Sequence, residues 1–335
     1  MLRFHLNVVG RIVAVLSVVG CVLAGALLAT SVWAASFPQK GKPIHLFVSF
    51  AAGGPTDVMA RVMASGLEKE IGTPVVVVNK PGANGAISYT ELSQAKPDGY
   101  TIGNINAPSI IAHYLDPARK AVYTKKSFQL LALHVTDPGL IAVKADSPFK
   151  SVKDVIDAAK AAPKKVTLST AGLMGDDHFA ILQLQQITGA QFAIVHFSQG
   201  GTAGMMATLG GKIDVFVGNG ADTRAQYKDG AVRILGIMDS EESPLYSGVK
   251  TFEAQGYKLY SLATRGYAAP QGTPKEIVDI LSEAIRKVIT TEENKKKMAD
   301  FGVIVRYMGP DQYSKYFDER EKTMRELMPI AKKQG

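Results

Sequence analysis

The sequence is short of the residues from which most catalytic and metal centres are built. Its 335 residues include one cysteine, one tryptophan and six histidines, and the histidines beyond the N-terminal segment follow no metal-ligand spacing. The motifs Gly-x-Ser-x-Gly, His-Glu-x-x-His and Gly-x-Gly-x-x-Gly are absent, and so is a complete phosphate-binding loop ending in Lys-Ser/Thr. We therefore expect no catalytic residue, no metal and no cofactor.

The sequence also lacks the dense Lys/Arg runs with interleaved aromatic residues that mark nucleic-acid-binding proteins. The formal net charge of +8 is modest for this length. A solvated basic surface explains that charge, and we expect no nucleic-acid partner.

Charge is missing altogether from residues 12–33, and Arg3 and Arg11 precede this run. A basic start, an apolar stretch and small residues ending at Ala34 are typical of a secretory signal peptide. We predict a signal peptide over residues 1–34, cleaved after Ala34. An uncleaved anchor is the alternative, because the apolar run is long enough to span a bilayer.

Cleavage after Ala34 also removes Cys21, the only cysteine. The mature chain then cannot form a disulfide and folds equally well in an oxidising compartment. No later apolar run is long enough to cross a membrane. We therefore expect a periplasmic protein, and a monomer.

Strand and helix patterns alternate along the chain after residue 43, which predicts an α/β fold with parallel sheets. Apolar residues at helical spacing predict a helix over residues 56–71. Ser151, followed three residues later by Asp154, predicts a capping box at the start of another helix.

The alternating pattern falls into two groups, the second beginning near Leu140. Candidate crossovers are Pro138-Gly139 and residues 256–266. We predict one discontinuous domain of residues 35–139 plus 263–335, and a second domain of residues 140–262.

Loops of small residues stand just before helices at several points. The first contains Gly53, Gly54, Pro55, Thr56 and Asp57, with Thr56 as the expected N-cap and Asp57 in the first turn. Similar loops occupy residues 82–85, 169–172, 199–202 and 218–220. A helix start behind such a loop presents backbone N–H groups to an anion. Each loop alone is an ordinary turn, but five that converge on one sheet edge indicate an anion-binding site.

Asp176, Asp177 and His178 form the densest polar cluster in the sequence. They could be a metal or acid/base site. They could equally be the acidic first turn of a helix, which the helix dipole favours. We favour the helix start.

The ordered set of motifs resembles the periplasmic substrate-binding proteins of tripartite tricarboxylate transporters, the Bug family. The motifs are KPIHLFVSFAAGGPTDVMAR, VVVVNKPGANGAISYTELSQAKPDGYTIG, GGKIDVFVGN and AAPQGTPKEIVDIL. No one of them is specific alone, but the ordered set is, and the resemblance covers nearly the whole mature chain.

The resemblance implies a two-domain, type II periplasmic-binding-protein fold with the ligand cleft between the domains. It implies capture of a small organic carboxylate and delivery to the membrane subunits of a tripartite transporter. By matching motif positions, the ligand-binding residues are expected to be Gly53, Gly54, Pro55, Thr56, Asp57, Asn84, Gly85, Thr170, Ala171, Gly172, His178, Gly201, Thr202 and Asn219.

Three departures from the family pattern bear on the ligand. Met174 and Gly175 replace a Gly and a Ser, acids follow at Asp176 and Asp177, and residues 264–267 replace a usual Trp. An acid near ~4 Å from a bound anion would cost a few kcal/mol. Either these acids face solvent, or the mono- or dicarboxylate carries an aromatic ring or an amino group.

Two other functions fit the same sequence. An exported ligand sensor of this fold would signal to a membrane sensor kinase. A periplasmic enzyme would use Asp176, Asp177 and His178, and we disfavour it.

Overall fold

The structure is a computed structural model that describes residues 37–197 and 200–334. The predicted signal peptide lies outside the described residues. No helix in the described ranges is long and apolar enough to cross a membrane.

The first part of the chain alternates strands and helices as the sequence predicts. The elements are β1 (Ile44–Val48), α1 (Pro55–Ile71), β2 (Val75–Asn79), α2 (Ala86–Gln94), β3 (Thr101–Ala107), α3 (Ser109–Leu115) and β4 (Phe128–Lys144).

The middle of the chain continues the alternation. Its elements are α4 (Val152–Ala161), β5 (Thr167–Thr170), α5 (Asp176–Thr188), β6 (Ala193–His196), α6 (Gly201–Leu209), β7 (Phe216–Asn219), α7 (Gly220–Lys228) and β8 (Val232–Ile237).

The chain then returns to the first group of strands. The last elements are β9 (Leu262–Pro270), α8 (Lys275–Thr290), α9 (Glu292–Asp300), β10 (Ile304–Met308) and α10 (Pro310–Gln334).

Two sheets share the long strand β4. The first lobe has the strand order β2-β1-β3-β9-β4-β10. In the second lobe, β4 pairs with β7 and β8, while β5 pairs with β6 and meets β7 through a parallel bridge between Leu168 and Val215. The fold is thus a two-lobed α/β fold, as expected.

Strand β4 changes partners at its centre. Pro138 is paired with Leu262 of β9, and the next residue, Gly139, is paired with Asn219 of β7. The Gly139 N–H also donates to Ser261 O at 2.7 Å, so both connections between the lobes run side by side. The crossovers lie near the predicted positions, and the domain boundaries at 139/140 and 262/263 stay predictions.

The expectation of parallel sheets was wrong in part. β1 is parallel to β2 and β3, and β5 is parallel to β6. β4 is antiparallel to β7, β8, β9 and β10, and β3 is antiparallel to β9. The sheets are mixed because β4 and β9 carry the chain between the lobes in opposite directions.

Apolar clusters lie against the sheets of both lobes, and one of them includes residues of both, since Met174, Phe179 and Leu182 of the second lobe pack in a first-lobe cluster. The first-lobe sheet carries one cluster that includes Leu46 and Leu281 and another that includes Ile105 and Phe317. The second lobe buries a separate cluster around Ile141 and Val215. Rigid cores behind both sheets fix the loops at their strand ends, where the predicted site residues lie.

Local signals account for several helix boundaries. Ser151 and Asp154 form the predicted capping box, with both of its hydrogen bonds present. Helix α5 begins at Asp176, which confirms that Asp176 and Asp177 form an acidic first turn. Thr56 was wrongly expected to be an N-cap. Gly54 holds that position without a side-chain bond, because Pro55 starts helix α1 one residue earlier.

Candidate functional site

The loop between β1 and α1 is held by the buried carboxylate of Asp57. This carboxylate accepts hydrogen bonds of 2.9 Å from the Gly53 N–H, from Arg61 Nε and from Asn79 Nδ2. Burial raises the pKa of Asp57, but these three donors outweigh burial and lower it to about 2. Asp57 is therefore ionised at neutral pH, and its side chain holds the loop in place through these hydrogen bonds.

The backbone donors at the start of α1 divide into used and unused groups. The Gly53 N–H is taken by Asp57, and the Gly54 N–H makes a long 3.4 Å bond to Ala51 O. Pro55 has no N–H. Within the described ranges, the N–H groups of Thr56 and Asp57 donate to no acceptor. The first loop thus offers fewer free amides than expected, and they lie at the positive end of the helix dipole.

The second predicted loop lies beside the first, after β2. Asn84 is exposed and has φ of 52°, and Gly85 has φ of 96°. A Cβ at Gly85 would come within 2.8 Å of the Tyr89 ring. A glycine is therefore required there, because both the backbone angle and the buried ring exclude a side chain.

A chain of contacts links Asn84 to the second lobe. His113 makes a hydrogen bond to the Asn84 backbone, and its Nε2 lies 3.2 Å from Arg119 Nη1. Burial, followed by the charge of Arg119, lowers the pKa of His113 to about 4, so the ring is neutral. Arg119 Nη2 also contacts Met174 Sδ at 3.6 Å. Met174 of the second lobe thus touches the opposite lobe.

The loop after β5 is also internally bonded. The Ala171 N–H donates to Asp177, and the Gly172 N–H donates to Thr170 Oγ1 at 3.3 Å. Thr170 Oγ1 lies 2.6 Å from Nδ1 of His196. The backbone donors of Ala171 and Gly172 are therefore engaged within the loop.

Asp177 and His178 both bond back into this loop. Asp177 accepts from the Ala171 and His178 N–H groups, and His178 Nδ1 accepts from the Met174 N–H at 3.1 Å. Burial, together with the charge of Asp176, raises the pKa of Asp177 well above its usual value. Burial, followed by His196, lowers the pKa of His178 to about 4. In the part of the chain that is described, no three His, Cys, Asp or Glu side chains form a metal site.

The remaining second-lobe residues surround Asp176 and Asp222. Asn219 Nδ2 donates to Asp176 Oδ2 at 2.8 Å and to Asp137 O at 3.0 Å. Thr202 Oγ1 donates to Asp222 Oδ1 at 3.3 Å, and Gly201 lies against the same carboxylate. Asp176 therefore points towards the connection between the lobes.

Five residues at that connection form a continuous network. Asn106 Nδ2 and Arg265 Nε donate to Thr56 Oγ1 at 3.3 and 3.4 Å. Arg265 Nη1 donates to Asp137 Oδ2 at 3.3 Å, and Asp137 Oδ1 accepts the Ala221 N–H at 3.2 Å. This network joins the start of α1 in one lobe to the start of α7 in the other.

Sequence reasoning did not assign Arg265, Asn106 or Asp137 to the site. The one available signal was the expected departure from the family pattern at residues 264–267. The side chain of Arg265 is 14% exposed. This partly buried guanidinium, bonded to the Thr56 hydroxyl at the start of α1, supplies the positive charge that the predicted set of residues lacked.

Two grooves lie near these residues. One of about 490 Å³ separates the lobes, with Gly53, Pro55 and Val58 on one wall and Ala221 and Arg224 on the other. Its volume suits a small organic molecule. A second groove, of about 940 Å³, follows α5 and β6 and has His178 and His196 on its wall. The structure thus places His178 away from the first loop.

The chain matches known proteins over most of its length. The family described as "Tripartite tricarboxylate transporter family receptor" matches residues 59–334. A Cupriavidus necator protein, named "UPF0065 protein in gbd 5'region", is 32% identical over 309 residues, covering 89% of this chain and 90% of that protein. Protein BugT of Bordetella pertussis is 29% identical over 303 residues, covering 89% and 91%.

Solved structures show the same fold. A TctC solute-binding protein from Polaromonas, without ligand, has a TM-score of 0.77 at 26% identity, covering 88% of this chain and 99% of its own. MatC from Rhodopseudomonas palustris, with bound malate, has a TM-score of 0.72 at 24% identity, covering 87% and 99%. The family match and the Cupriavidus necator relative show that the chain belongs to the tripartite tricarboxylate transporter family of receptors, and the solved structures show the two-domain fold of periplasmic solute-binding proteins.

Proposed function

We propose that this protein is an extracytoplasmic receptor that captures a small organic carboxylate in the cleft between its lobes. It then delivers the ligand to the membrane subunits of a tripartite tricarboxylate-type transporter. The observation that carries the proposal is the pair of unused N–H donors at Thr56 and Asp57, beside the guanidinium of Arg265. Helix N-terminal amides and an arginine fork both favour a carboxylate.

The role of each first-lobe residue follows from its bonding. Thr56 and Asp57 supply backbone donors, while the side chain of Asp57 holds the loop in place. The side chains of Gly53, Gly54 and Pro55 are small or absent, so a ligand can approach the start of the helix closely. We infer binding through backbone amides rather than through the side chain of Asp57, which would repel an anion.

The opposite wall comes from the second lobe. We propose that the loop of Thr170, Ala171 and Gly172 contacts the ligand only after the lobes close. In this structure the N–H groups of Ala171 and Gly172 donate to acceptors within the loop itself. We propose that the rest of the cleft is lined by Asn84, Gly85, Gly201, Thr202 and Asn219. His178 is proposed to support the Met174 turn, to which its ring is bonded.

The comparisons support this proposal through the family description and through MatC, which was solved with malate, a small dicarboxylate. The malate belongs to MatC, and carboxylate binding by this chain is our proposal. We also propose that the mature protein lies in the periplasm after cleavage at Ala34, acts as a monomer, and is not an enzyme.

A thermal-shift screen of residues 35–335 against mono-, di- and tricarboxylates and amino acids tests this function. A ligand present at 100 times its dissociation constant stabilises the folded state by ~2.7 kcal/mol, which gives a clear rise in Tm. A hit among the carboxylates supports the proposal. The absence of any shift across all carboxylic acids, amino acids included, would contradict it.

A pair of variants then tests whether the ligand binds at the first loop. Gly54→Val adds a side chain at the first loop, where φ is −75° and the nearest atom to the added Cβ, Ala51 O, would lie 3.4 Å away. Gly210→Val is the matched control, since Gly210 has φ of −76° and its nearest neighbour, Met206 O, also lies at 3.4 Å, at the end of α6. We expect Gly54→Val to weaken binding at least ~10-fold, or ~1.4 kcal/mol, and Gly210→Val to leave it unchanged. Equal affinities for the two variants would place the ligand elsewhere.

A further inference from the structure

Strand β6 forms a free edge of the second-lobe sheet. It pairs with β5 on one side, and no other described strand pairs with it. The Ala193 N–H donates to Val166 O at 2.9 Å, and the Phe197 N–H donates to Thr170 O at 2.8 Å. Because the backbone groups of successive residues face opposite edges of a strand, those of Ile194 and the other even-numbered residues face away from β5.

One of these outward-facing positions already has a partner, and the next two do not. The Phe192 N–H, just before β6, donates to Oε1 of Gln185 on α5 at 3.0 Å. Within residues 37–197 and 200–334, the backbone N–H and C=O groups of Ile194 and His196 have no hydrogen-bond partner. The edge of β6 is therefore open to another backbone.

The open edge borders the groove of about 940 Å³ that follows α5 and β6. The apolar side chains along it include Leu182 of α5, Ile194 of β6 and Ile330 of α10. A groove between an unpaired strand edge and neighbouring helices fits an extended polypeptide, which binds by adding a strand to the sheet.

His178 brings a side-chain donor without an acceptor to the same groove. Its ring is 1% exposed, and Nε2 is buried with no partner among the described residues. Burial, followed by His196, lowers the pKa of His178 to about 4, so the ring is neutral at pH 7. Nδ1 accepts the Met174 N–H, so the hydrogen of the neutral ring is on Nε2. The groove wall thus has an unused donor in addition to those of β6.

The groove carries charge of one sign. Lys164 lines it, and none of the described residues that line it is acidic. The Lys164 N–H donates to Gln191 O, two residues before β6, so this exposed lysine is fixed at one end of the strand. A segment that docks here is favoured by an acidic side chain near Lys164.

The first lobe has a comparable strand edge with a different charge pattern. β2 is the last strand of that sheet, and the groove beside it, of about 390 Å³, is lined by Arg61, Glu68 and Lys69. Both signs of charge lie together there, so an acidic segment gains less from that groove. The β6 edge is distinguished by its single sign of charge.

We propose that the β6 edge is a docking site for an extended segment of a partner protein that carries an acidic side chain. The segment lies in the groove as an added strand and exchanges backbone hydrogen bonds with Ile194 and His196. Its acidic side chain lies near Lys164. The site is separate from the start of α1, so this inference goes beyond the proposed function and does not depend on it.

Fluorescence anisotropy of residues 35–335 with seven-residue peptides tests the inference. The parent peptide is Ser-Thr-Val-Thr-Val-Thr-Ser-amide with a neutral BODIPY dye at its N-terminus, and Glu or Gln replaces each Thr in turn. We expect at least one Glu peptide to bind ~3-fold or more tightly than its Gln counterpart at low ionic strength, where surface charges are screened least. An analogue N-methylated at every interior amide should not bind, because it has no N–H groups to pair with β6.

Two pairs of variants test the assigned residues. Ile194→Pro removes an outward N–H and spares the pairing with β5, and proline is tolerated on a strand edge in that position. We expect it to weaken peptide binding ~10-fold or more, or ~1.4 kcal/mol, whereas Ile194→Val, which keeps the N–H, should change it less than ~2-fold. Lys164→Gln should remove the preference for Glu, and Lys165→Gln, at an exposed neighbour that does not line the groove, should keep it.

The Tm of each variant checks its folding, and the N-methylated analogue decides if Ile194→Pro does not fold. The inference is overturned if no peptide binds, if the N-methylated analogue binds equally well, or if a folded Ile194→Pro variant binds as tightly as Ile194→Val. Gln peptides that match their Glu counterparts overturn the acidic partner. Displacement of the peptide by acetate or phosphate at equal concentration would make the groove a small-anion site, and a dimer of the protein alone that is lost in Ile194→Pro would assign the edge to a second copy; either result overturns the proposal.

Discussion

The buried carboxylate of Asp57 should stabilise the fold through its charge as well as its shape. Its pKa is lowered to about 2, against about 3.9 for an aspartate in an unfolded chain. That difference corresponds to ~2.5 kcal/mol at neutral pH. The side chain of its partner Arg61 is 53% exposed, so solvent screening reduces the contribution to ~1–2 kcal/mol.

The replacement Asp57→Asn removes this charge and keeps the side-chain shape. A carboxyl group whose pKa is lower in the folded state stabilises the protein above its unfolded pKa, and the effect is lost as pH falls towards the folded pKa. We expect Asp57→Asn to lower the free energy of unfolding by ~1–2 kcal/mol at pH 7 and by about half as much at pH 3. Urea unfolding followed by circular dichroism at the two pH values measures this.

Asp279→Asn is the matched control for this measurement. Asp279 pairs with Lys275 four residues away on α8, as Asp57 pairs with Arg61 on α1, but both members of the control pair are exposed. Exposed pairs of this kind contribute ~0.3–0.5 kcal/mol. If Asp57→Asn costs no more than Asp279→Asn, or costs the same at pH 3 as at pH 7, the reasoning is refuted.

Two further predictions concern backbone conformation and pH. Gly85→Ala should destabilise the folded protein by ~1–3 kcal/mol, because φ is 96° and the added Cβ meets Tyr89. Gly72→Ala is the control, since φ is 73° and nothing lies within 4 Å of the added Cβ, and it should lower the stability less. Thermal unfolding measures both, and equal losses would show that the contact with the Tyr89 ring is unimportant. Burial raises the pKa of Asp137 to about 7, above the ~3.9 of an aspartate in an unfolded chain. The protonated carboxyl therefore stabilises the fold at low pH, and this contribution is lost as pH rises from about 4 to about 7. Tm should fall over that range and level off above it, and Asp137→Asn should flatten the fall, whereas an unchanged profile would contradict the burial argument.

Sequence reasoning predicted most elements whose periodicity is strong. The helix now called α1 and the capping box at Ser151 were predicted because apolar spacing and cap residues are local signals. The family resemblance supplied the two-lobed fold. The acidic first turn at Asp176 was also predicted correctly.

Elements without a local signal were missed. The sequence pattern started its second group of elements near Leu140, whereas β4 begins at Phe128 and runs through Pro138-Gly139. Proline and glycine usually end a strand, and here they mark the point where β4 passes from one sheet to the other. Long-range pairing therefore overrode the local pattern.

The position of the site stays a prediction, and the sequence did not show part of the bonding around it. Glycine-rich loops gave the start of α1, but nothing in the spacing showed that Asp57 takes the Gly53 N–H. Arg265 and Asn106 come from β9 and β3, which are far apart in sequence and become neighbours through the sheet register. Such contacts can be read only after the strands are paired.

The central claim is that a carboxylate binds at the start of α1 between the lobes. The most direct test is a crystal structure of residues 35–335 with the tightest-binding acid from the thermal-shift screen. The account predicts a carboxylate oxygen within hydrogen-bonding distance, ~2.7–3.2 Å, of the Thr56 N–H and close to Arg265. A ligand seated away from α1, for example in the groove beside His178 and His196, would contradict it.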